Sequence, residues 1–333
     1  MNIFKNKTVL VTGAGGSIGS AVCSNLIDSD VKTIKCLDIS EYNLYRLQKK
    51  FNDDKRIKLI IGDIRDKERL ASVVAGTDFI IHTAALKHVT FCEQNPEESF
   101  KTNVLGTQNI VKLANFYNVD HSILISTDKS VNPTSIMGTT KYLAEKTFLN
   151  NYEDSWNGLE SEFLPKFTVV RFGNVFGSAG SVVETFYNQI KNNKILTITD
   201  ENVSRYFISI EQAANLILDC FTHSEGNKIF ILKMNQIKIL DLAKKIFDLT
   251  SDDKQLFNYK ITGLTPGEKL KESLMTEKEK KLCKNFKDYY IINGANEENK
   301  IMFNEEPITD KKLELLVNHW LEKKQLINRK KNV

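Results

Sequence analysis

The run Thr8-Val-Leu-Val-Thr-Gly13-Ala-Gly15-Gly16-Ser-Ile-Gly19 limits the possible folds more than any other stretch of this chain. Apolar residues on consecutive positions read as a strand covered on both faces, because a half-exposed strand alternates apolar with polar. Glycines follow at once, and the amphipathic segment Ser17 to Ile27 follows them, so a strand turns directly into a helix. Similar apolar runs recur at Thr33 to Leu37, Ile57 to Ile61, Phe79 to Ile81, Ser122 to Ile125 and Thr168 to Arg171. Helix-length segments lie between them at Glu41 to Phe51, Lys67 to Val74, Pro96 to Tyr117 and Met137 to Leu149. Covered strands alternating with helices predict an α/β protein with a doubly wound parallel sheet of the Rossmann type.

Past Asn174 the alternation loosens. Helical stretches at Ser181 to Ile190, Ile210 to Cys220, Ile239 to Leu249 and Asp310 to Leu321 are mixed with short extended pieces such as Lys228 to Leu232. Two regions are therefore expected: a dinucleotide-binding domain over 1–174 and a smaller substrate-binding region over 175–333, with an interleaved boundary. The 333 residues suffice to bury a core without disulfides or metals. Lys plus Arg exceeds Asp plus Glu by four, 46 against 42, too diffuse an excess to imply nucleic acid. Five cysteines (Cys23, Cys36, Cys92, Cys220, Cys283) form no C-x-x-C pair and read as free thiols in a reducing compartment. No His or Cys stands at ligand spacing from another, so no metal is implied. With no signal-peptide pattern and no long apolar span, a soluble cytoplasmic protein is expected.

A glycine turn between a strand and a helix suits a phosphate, which approaches backbone N–H groups at the positive end of the helix dipole. Gly13 serves the tight turn, Gly16 the close approach and Gly19 the packing of helix on sheet; Ser17 and Ile18 open the helix. The second strand ends at Asp38, near the distance at which an acidic residue meets the adenosine ribose. A carboxylate there accepts from both ribose hydroxyls and repels a 2′-phosphate, which favours NAD over NADP. Asp63 and Ile64, after the third strand, fall where an adenine edge would lie.

At Thr12-Gly13-x-x-Gly16-x-x-Gly19 the chain resembles the extended short-chain dehydrogenase/reductase family. The likeness continues through His82-Thr-Ala84-Ala85, Asn103-Val-x-Gly106-Thr107 and Ser126-Thr127-Asp128. Ala85-Leu-Lys87-His88-Val, Ser126-Thr127-Asp128-Lys129 with Asn132-Pro133, Arg171-Phe-Gly-Asn174, and Pro266-Gly267-Glu268-Lys269-Leu270 narrow the resemblance. They point to the UDP-N-acetylglucosamine 4,6-dehydratase branch, which serves bacterial polysaccharide biosynthesis. That resemblance implies bound NAD, a UDP-sugar substrate and a homo-oligomer formed through the helices near 96–117 and 137–149. It implies Asp128 as acid at the sugar C6, Lys129 as base at C5, and Thr127 at the C4 hydroxyl. Ala84, Ala85, Lys87, Asn103 and Lys141 go to the cofactor, Lys141 also joining the catalytic set as the nearby cation that helps keep the Lys129 base neutral, and Lys87, Asn174, Arg205 and Glu268 go to the nucleotide sugar. Arg205 would meet the diphosphate, and Glu268 the ribose or uracil.

One position departs from the family pattern. Its Tyr-x-x-x-Lys pair is here Met137-Gly-Thr-Thr-Lys141, and methionine carries no proton. The chain is read as an active enzyme with another base at C4, Asp128 or a water, because a subset of these dehydratases resembles it in having Met there. A lost activity, or a shifted register with Tyr142 as base, are the alternatives. The implied reaction is a 4,6-dehydration, with or without inversion at C5. A nucleotide-sugar 4-epimerase and a silent NAD-binding protein are its rivals.

Overall fold

The computed structural model describes residues 3–52, 54–150, 165–251, 256–286, 288–293 and 307–331. Each of the six apolar runs forms a strand: β1 (Thr8–Thr12), β2 (Thr33–Asp38), β3 (Ile57–Ile61), β4 (Phe79–His82), β5 (His121–Thr127) and β6 (Lys166–Phe172). The connecting helices are α1 (Ser17–Ile27), α2 (Glu41–Phe51), α3 (Lys67–Val74), α4 (Val89–Gln94), α5 (Pro96–Phe100), α6 (Gly106–Phe116) and α7 (Ile136–Leu149). The later elements are β7 (Asn174–Val175), α8 (Val182–Lys191), β8 (Leu196–Ile198), β9 (Ser204–Ile208), α9 (Ile210–His223), β10 (Lys228–Leu232), β11 (Asn235–Lys238) and α10 (Ile239–Thr250). They end with β12 (Tyr259–Ile261), α11 (Glu277–Lys281), β13 (Cys283–Asn285), β14 (Tyr289–Asn293) and α12 (Asp310–Lys331).

The main sheet runs β13-β14-β10-β6-β5-β4-β1-β2-β3. It is parallel from β3 to β10, and β14 and β13 close it antiparallel. Strand order reverses at β1, which has β2 on one side and β4 on the other. In open α/β sheets ligands bind outside the carboxyl ends of the strands at such a reversal. β1 and β4 are almost wholly buried, as their unbroken apolar runs require.

The chain divides into two compact units. One comprises Met1–Phe172, Glu211–Lys233 and Ser273–Ile301; the other comprises Gly173–Ile210, Met234–Glu272 and Met302–Val333. Residues 211–233 and 273–301, assigned from sequence to the smaller region, therefore belong to the unit with the large sheet. The reason lies in β10, whose Ile229, Phe230 and Ile231 are buried and pair with β6 and β14. The smaller unit holds a three-stranded sheet, β11-β9-β7, and a β12-β8 pair. Phe186, Leu196, Phe207, Leu242, Ile246 and Val317 pack in its core.

The segment read as one helix over 96–117 is instead α5, a π-helical turn at Lys101–Leu105 and then α6, and α4 precedes them. All five cysteines are free and buried. Cys23 and Cys36 nonetheless meet, with Sγ atoms 3.6 Å apart. Among the described residues no helix is long and apolar enough to cross a membrane.

Candidate active site

The glycine turn is built by close contact. Gly13 has φ +65°, and a Cβ on it would lie 2.8 Å from Ala84 N and Cα; only glycine takes both the angle and the space. A Cβ on Gly19 would lie 2.4 Å from the Gly13 carbonyl, which seats α1 directly on the turn. Gly16 is exposed and caps α1 with no side-chain hydrogen bond, and no acidic residue stands in the first turn, Ser17 and Ile18 included. Asp38, buried at the end of β2, accepts from Gly15 N at 2.9 Å and from Ser40 N at 2.9 Å. Its carboxylate so ties the turn to β2 and keeps further lone pairs on both oxygens.

Asp63 faces Arg65, accepting from its backbone N and its Nε at 2.8 Å each. Burial pushes this carboxyl up, but the Arg65 bonds and charge outweigh it and hold it below the usual range. Ile64 is buried, and Gly106 leaves room for it: a Cβ there would lie 2.6 Å from Ile64 Cδ1. Both residues thus brace the loop after β3.

A hydrogen-bond chain positions the loop after β4. Burial, aided by the Lys141 charge, lowers His82 to about 3, so its ring is neutral. Thr107 Oγ1 donates to the Asn103 carbonyl at 2.6 Å and is left to accept from His82 Nε2 at 3.1 Å. His82 Nδ1 then accepts from Thr12 Oγ1 at 2.7 Å, and Thr12 Oγ1 accepts from Ala84 N at 3.4 Å. Asn103, inside the π-helical turn, accepts from Leu86 N at 2.8 Å and donates to Leu86 O and Thr140 Oγ1 at 3.0 Å each. These bonds tie Leu86, between Ala85 and Lys87, to the π-helical turn; the Lys87 side chain is exposed. π-Turns of this type accompany functional sites.

At the carboxyl end of β5, Asp128–Ser130 form a 3₁₀ turn. Asp128 is fully buried, and its Oδ1 accepts from Thr127 Oγ1 at 2.9 Å and Lys129 Nζ at 3.0 Å. Its Oδ2 is buried without a hydrogen-bond partner, a costly state that a ligand hydroxyl would relieve. α7 carries the rest of the site: Ser135 caps it by accepting from Gly138 N at 3.0 Å. A Cβ on Gly138 would lie 2.3 Å from the Lys129 carbonyl. Lys141 is buried and donates to the Ile125 carbonyl at 2.5 Å. Burial lowers its pKa to about 8, only partly opposed by Glu145. Met137 is buried one turn before it. Tyr142 is exposed and lies under the Lys146 ammonium, 5.3 Å from the ring centroid, so the shifted-register base faces away from the buried face that carries Lys141.

Sequence reasoning missed a buried carboxylate. Glu145 Oε1 accepts from Ser126 Oγ at 2.5 Å, Ser130 Oγ at 2.6 Å and Arg171 Nε at 3.1 Å, and Oε2 accepts from Arg171 Nη2 at 2.7 Å. Burial pushes Glu145 up, but the adjacent Arg171 holds it below the carboxylate range. The available signal was spacing, since Glu145 stands one turn beyond Lys141 and faces the same side.

In the smaller unit Arg205 and Glu268, given separate tasks above, are partners. Arg205 Nη2 donates to Glu268 Oε1 at 3.0 Å, and Nη1 donates to the carbonyls of Ser204 and Leu270 at 2.9 and 3.2 Å. Thr199 Oγ1 also donates to Glu268 Oε1, and Thr265 N and Oγ1 donate to Oε2. Asn174 opens β7, half-buried.

Residues 9–294 match the family described as polysaccharide biosynthesis protein. The chain belongs to that family. It is 40% identical over 311 residues to the uncharacterized membrane protein MJ1061 of Methanocaldococcus jannaschii, covering 91% of this chain and 92% of that one. Identity is 36% to the UDP-N-acetylglucosamine 4,6-dehydratase (inverting) of Campylobacter jejuni, over 88% of this chain and 84% of that one. It is 35% to a UDP-glucose 4-epimerase of Rickettsia canadensis, over 87% and 84%. The chain spans only 49% of the capsular polysaccharide biosynthesis protein CapD of Staphylococcus aureus, which it also matches. The X-ray structure of Pen from Bacillus thuringiensis superimposes with a TM-score of 0.88 at 36% identity, over 96% of this chain and all of that one. The dTDP-glucose 4,6-dehydratase DesIV from Streptomyces venezuelae, with NAD bound, shares the fold at a TM-score of 0.72 and 20% identity, over 95% and 97%.

Proposed function

We propose that this chain is an NAD-dependent 4,6-dehydratase acting on a UDP-N-acetylhexosamine, UDP-N-acetylglucosamine first among them. The observation that carries the reading is the Asp128–Lys129 pair: a carboxylate and an amine 3.0 Å apart, the carboxylate buried with one oxygen unpartnered. The residues present suit the dinucleotide. The uncapped start of α1 at Gly16 fits a diphosphate, and Asp38 fits the ribose. When bound, the dinucleotide supplies the exchange of one hydride, removed from C4 and returned at C6.

The protein's own part is proton transfer. Once C4 is a ketone, the C5 proton is acidic, and elimination needs a base at C5 and an acid at the C6 hydroxyl. A single proton shared across the Asp128–Lys129 contact serves both. When it rests on Asp128, the pair offers a neutral amine to take the C5 proton. It also offers a carboxylic acid to protonate the departing C6 oxygen, which leaves as water. The C5–C6 double bond forms as the C5–H and C6–O bonds break. Thr127, bonded to Asp128, is placed for the C4 hydroxyl, whose proton passes to a water as C4 is oxidised; a proton from Lys129 or solvent returns to C5 as C6 is reduced. Lys141, poised near neutrality, sets the local field and meets the cofactor ribose. In the smaller unit the paired Arg205 and Glu268 act together on the nucleoside diphosphate, the guanidinium as a planar cation for the phosphates and the carboxylate it holds for the ribose, and Asn174 meets a substrate oxygen.

A 4-epimerase is the second reading, favoured by the epimerase relative at 35% identity. It needs only removal of hydride from C4 and its return to the opposite face of C4, and leaves the C5–C6 acid–base pair without a task. Met137 speaks for a silent dinucleotide-binding protein. Incubation with UDP-N-acetylglucosamine separates the three by a 4-keto-6-deoxy product, a galacto-configured product or no product. A second copy of the chain is proposed to cover Phe100, Leu105 and Phe116 on the 96–117 segment and Leu143 on α7, all large apolar side chains left exposed.

A further inference from the structure

The turn that carries Asp128 and Lys129 is held from behind by a carboxylate that touches neither. Glu145 Oε1 lies 2.5 Å from Ser126 Oγ and 2.6 Å from Ser130 Oγ, the residues on either side of Thr127-Asp128-Lys129. We propose that Glu145 is a positioning residue, a buried clamp that fixes both ends of this turn so that Asp128 and Lys129 meet the sugar at a set distance. The inference rests on the dehydratase reading for its catalytic consequence, but the clamp itself is geometry.

Three features argue for a clamp rather than a filler. Burying a carboxylate and a guanidinium removes both from water, and an apolar pair of like volume would cost less. Glu145 and Arg171 are nonetheless buried together, Arg171 being only 2% exposed. Arg171 is itself fixed from the far side: Nη1 donates to the Leu274 carbonyl at 3.0 Å, and Nη2 pairs with Glu279 at 3.1 Å. Glu279 is in turn locked in a capping box with Thr276. The charge on Glu145 is thus neutralised without drawing on the Asp128–Lys129 pair. Finally, both serines reach the same oxygen, Ser130 Oγ sharing its one hydrogen with the Thr127 carbonyl at 2.7 Å, so the carboxylate spans the turn instead of bonding at one end. One helical turn earlier on α7, Lys141 holds the Ile125 carbonyl just before it, and Gly138 packs on the Lys129 carbonyl just within it.

The Ser126→Ala, Ser130→Ala double variant tests this with the Glu145–Arg171 pair left intact, which avoids an uncompensated buried charge. Two readouts are taken on the full chain. With UDP-N-acetylglucosamine, kcat should fall about tenfold to a hundredfold, as expected for a displaced reacting group, while KM and NAD affinity stay within about threefold. Without substrate or cofactor, the Val131 amide, bonded to the Asp128 carbonyl at 3.0 Å, should exchange its hydrogen about tenfold faster or more. Unchanged kcat in a variant of a working enzyme overturns the clamp and leaves the dehydratase reading standing. So does a loss of kcat accompanied by an equal loss of NAD affinity. Should the wild type fail to dehydrate the sugar, the dehydratase reading falls, and exchange alone decides: faster exchange upholds the clamp, unchanged exchange overturns it.

Discussion

Lys141 is the residue whose setting has the plainest energetic consequence. Unfolded, it titrates near 10.5; buried beneath the Ile125 carbonyl, it titrates near 8. Below pH 8 both states hold the proton, and the folded state bears the full cost of a buried ammonium. Between pH 8 and 10.5 the unfolded state binds more protons, so stability from this group rises with pH there. Lys141→Met should therefore stabilise the cofactor-free protein by about 1 to 3 kcal/mol at pH 7, and the gain should vanish near pH 10.5. Thermal unfolding across that range checks this, and the same variant should lose turnover. Asp38 is tested by cofactor preference: Asp38→Ala should weaken NAD binding and narrow its advantage over NADP, measured by titration with each. Unaltered preference would remove Asp38 from the ribose site. Asp38, Asp128 and Lys141 were legible in sequence because each stands at a fixed offset from a strand end or a motif. The spacing from Lys141 marked Glu145 as facing the same side, but its pairing with Arg171 was not legible, since that buried ion pair joins α7 to β6. The Arg205–Glu268 bond was hidden for the same reason.

At the level of elements, α7 does the most to shape the site. Its capped start, the glycine that lets it touch the turn, Lys141 and Glu145 all lie on one side of a single helix. Gly138→Ala would press a methyl to within 2.3 Å of the Lys129 carbonyl. It should cost about 1 to 3 kcal/mol by overpacking and lower kcat through displacement of Lys129. Urea unfolding and steady-state kinetics read the two effects separately. α7 itself was visible from its apolar spacing, as were α1, α2 and α3, whose bounds agree with the sequence reading. The helix expected over 96–117 was harder. Pro96 marked its start, but the π-helical turn at Lys101–Leu105 leaves the apolar pattern nearly unchanged while altering the backbone. Only the Asn103 bonds to Leu86 show why the extra residue is accommodated.

Across the whole chain, topology was half legible. Six strands followed from unbroken apolar runs, whereas their order in the sheet and the return of β10, β13 and β14 to it did not. Pairing such as that of Lys228 with Thr168 and with Asn293 joins distant parts of the chain and leaves no trace in local periodicity. The exposed apolar side chains of the 96–117 segment and α7 predict association: the wild type should sediment at twice the chain mass or more. Leu105→Glu with Leu143→Glu should shift it to monomer; an unchanged mass would place the interface elsewhere. The acid–base pair in the turn after β5 is put to the test by mass spectrometry of the product formed from UDP-N-acetylglucosamine in deuterium oxide. A working dehydratase yields a sugar lighter by one water, before exchange is counted, and carrying deuterium at C5. An isomer of unchanged mass without deuterium at C5, or substrate recovered intact, would contradict the dehydratase reading.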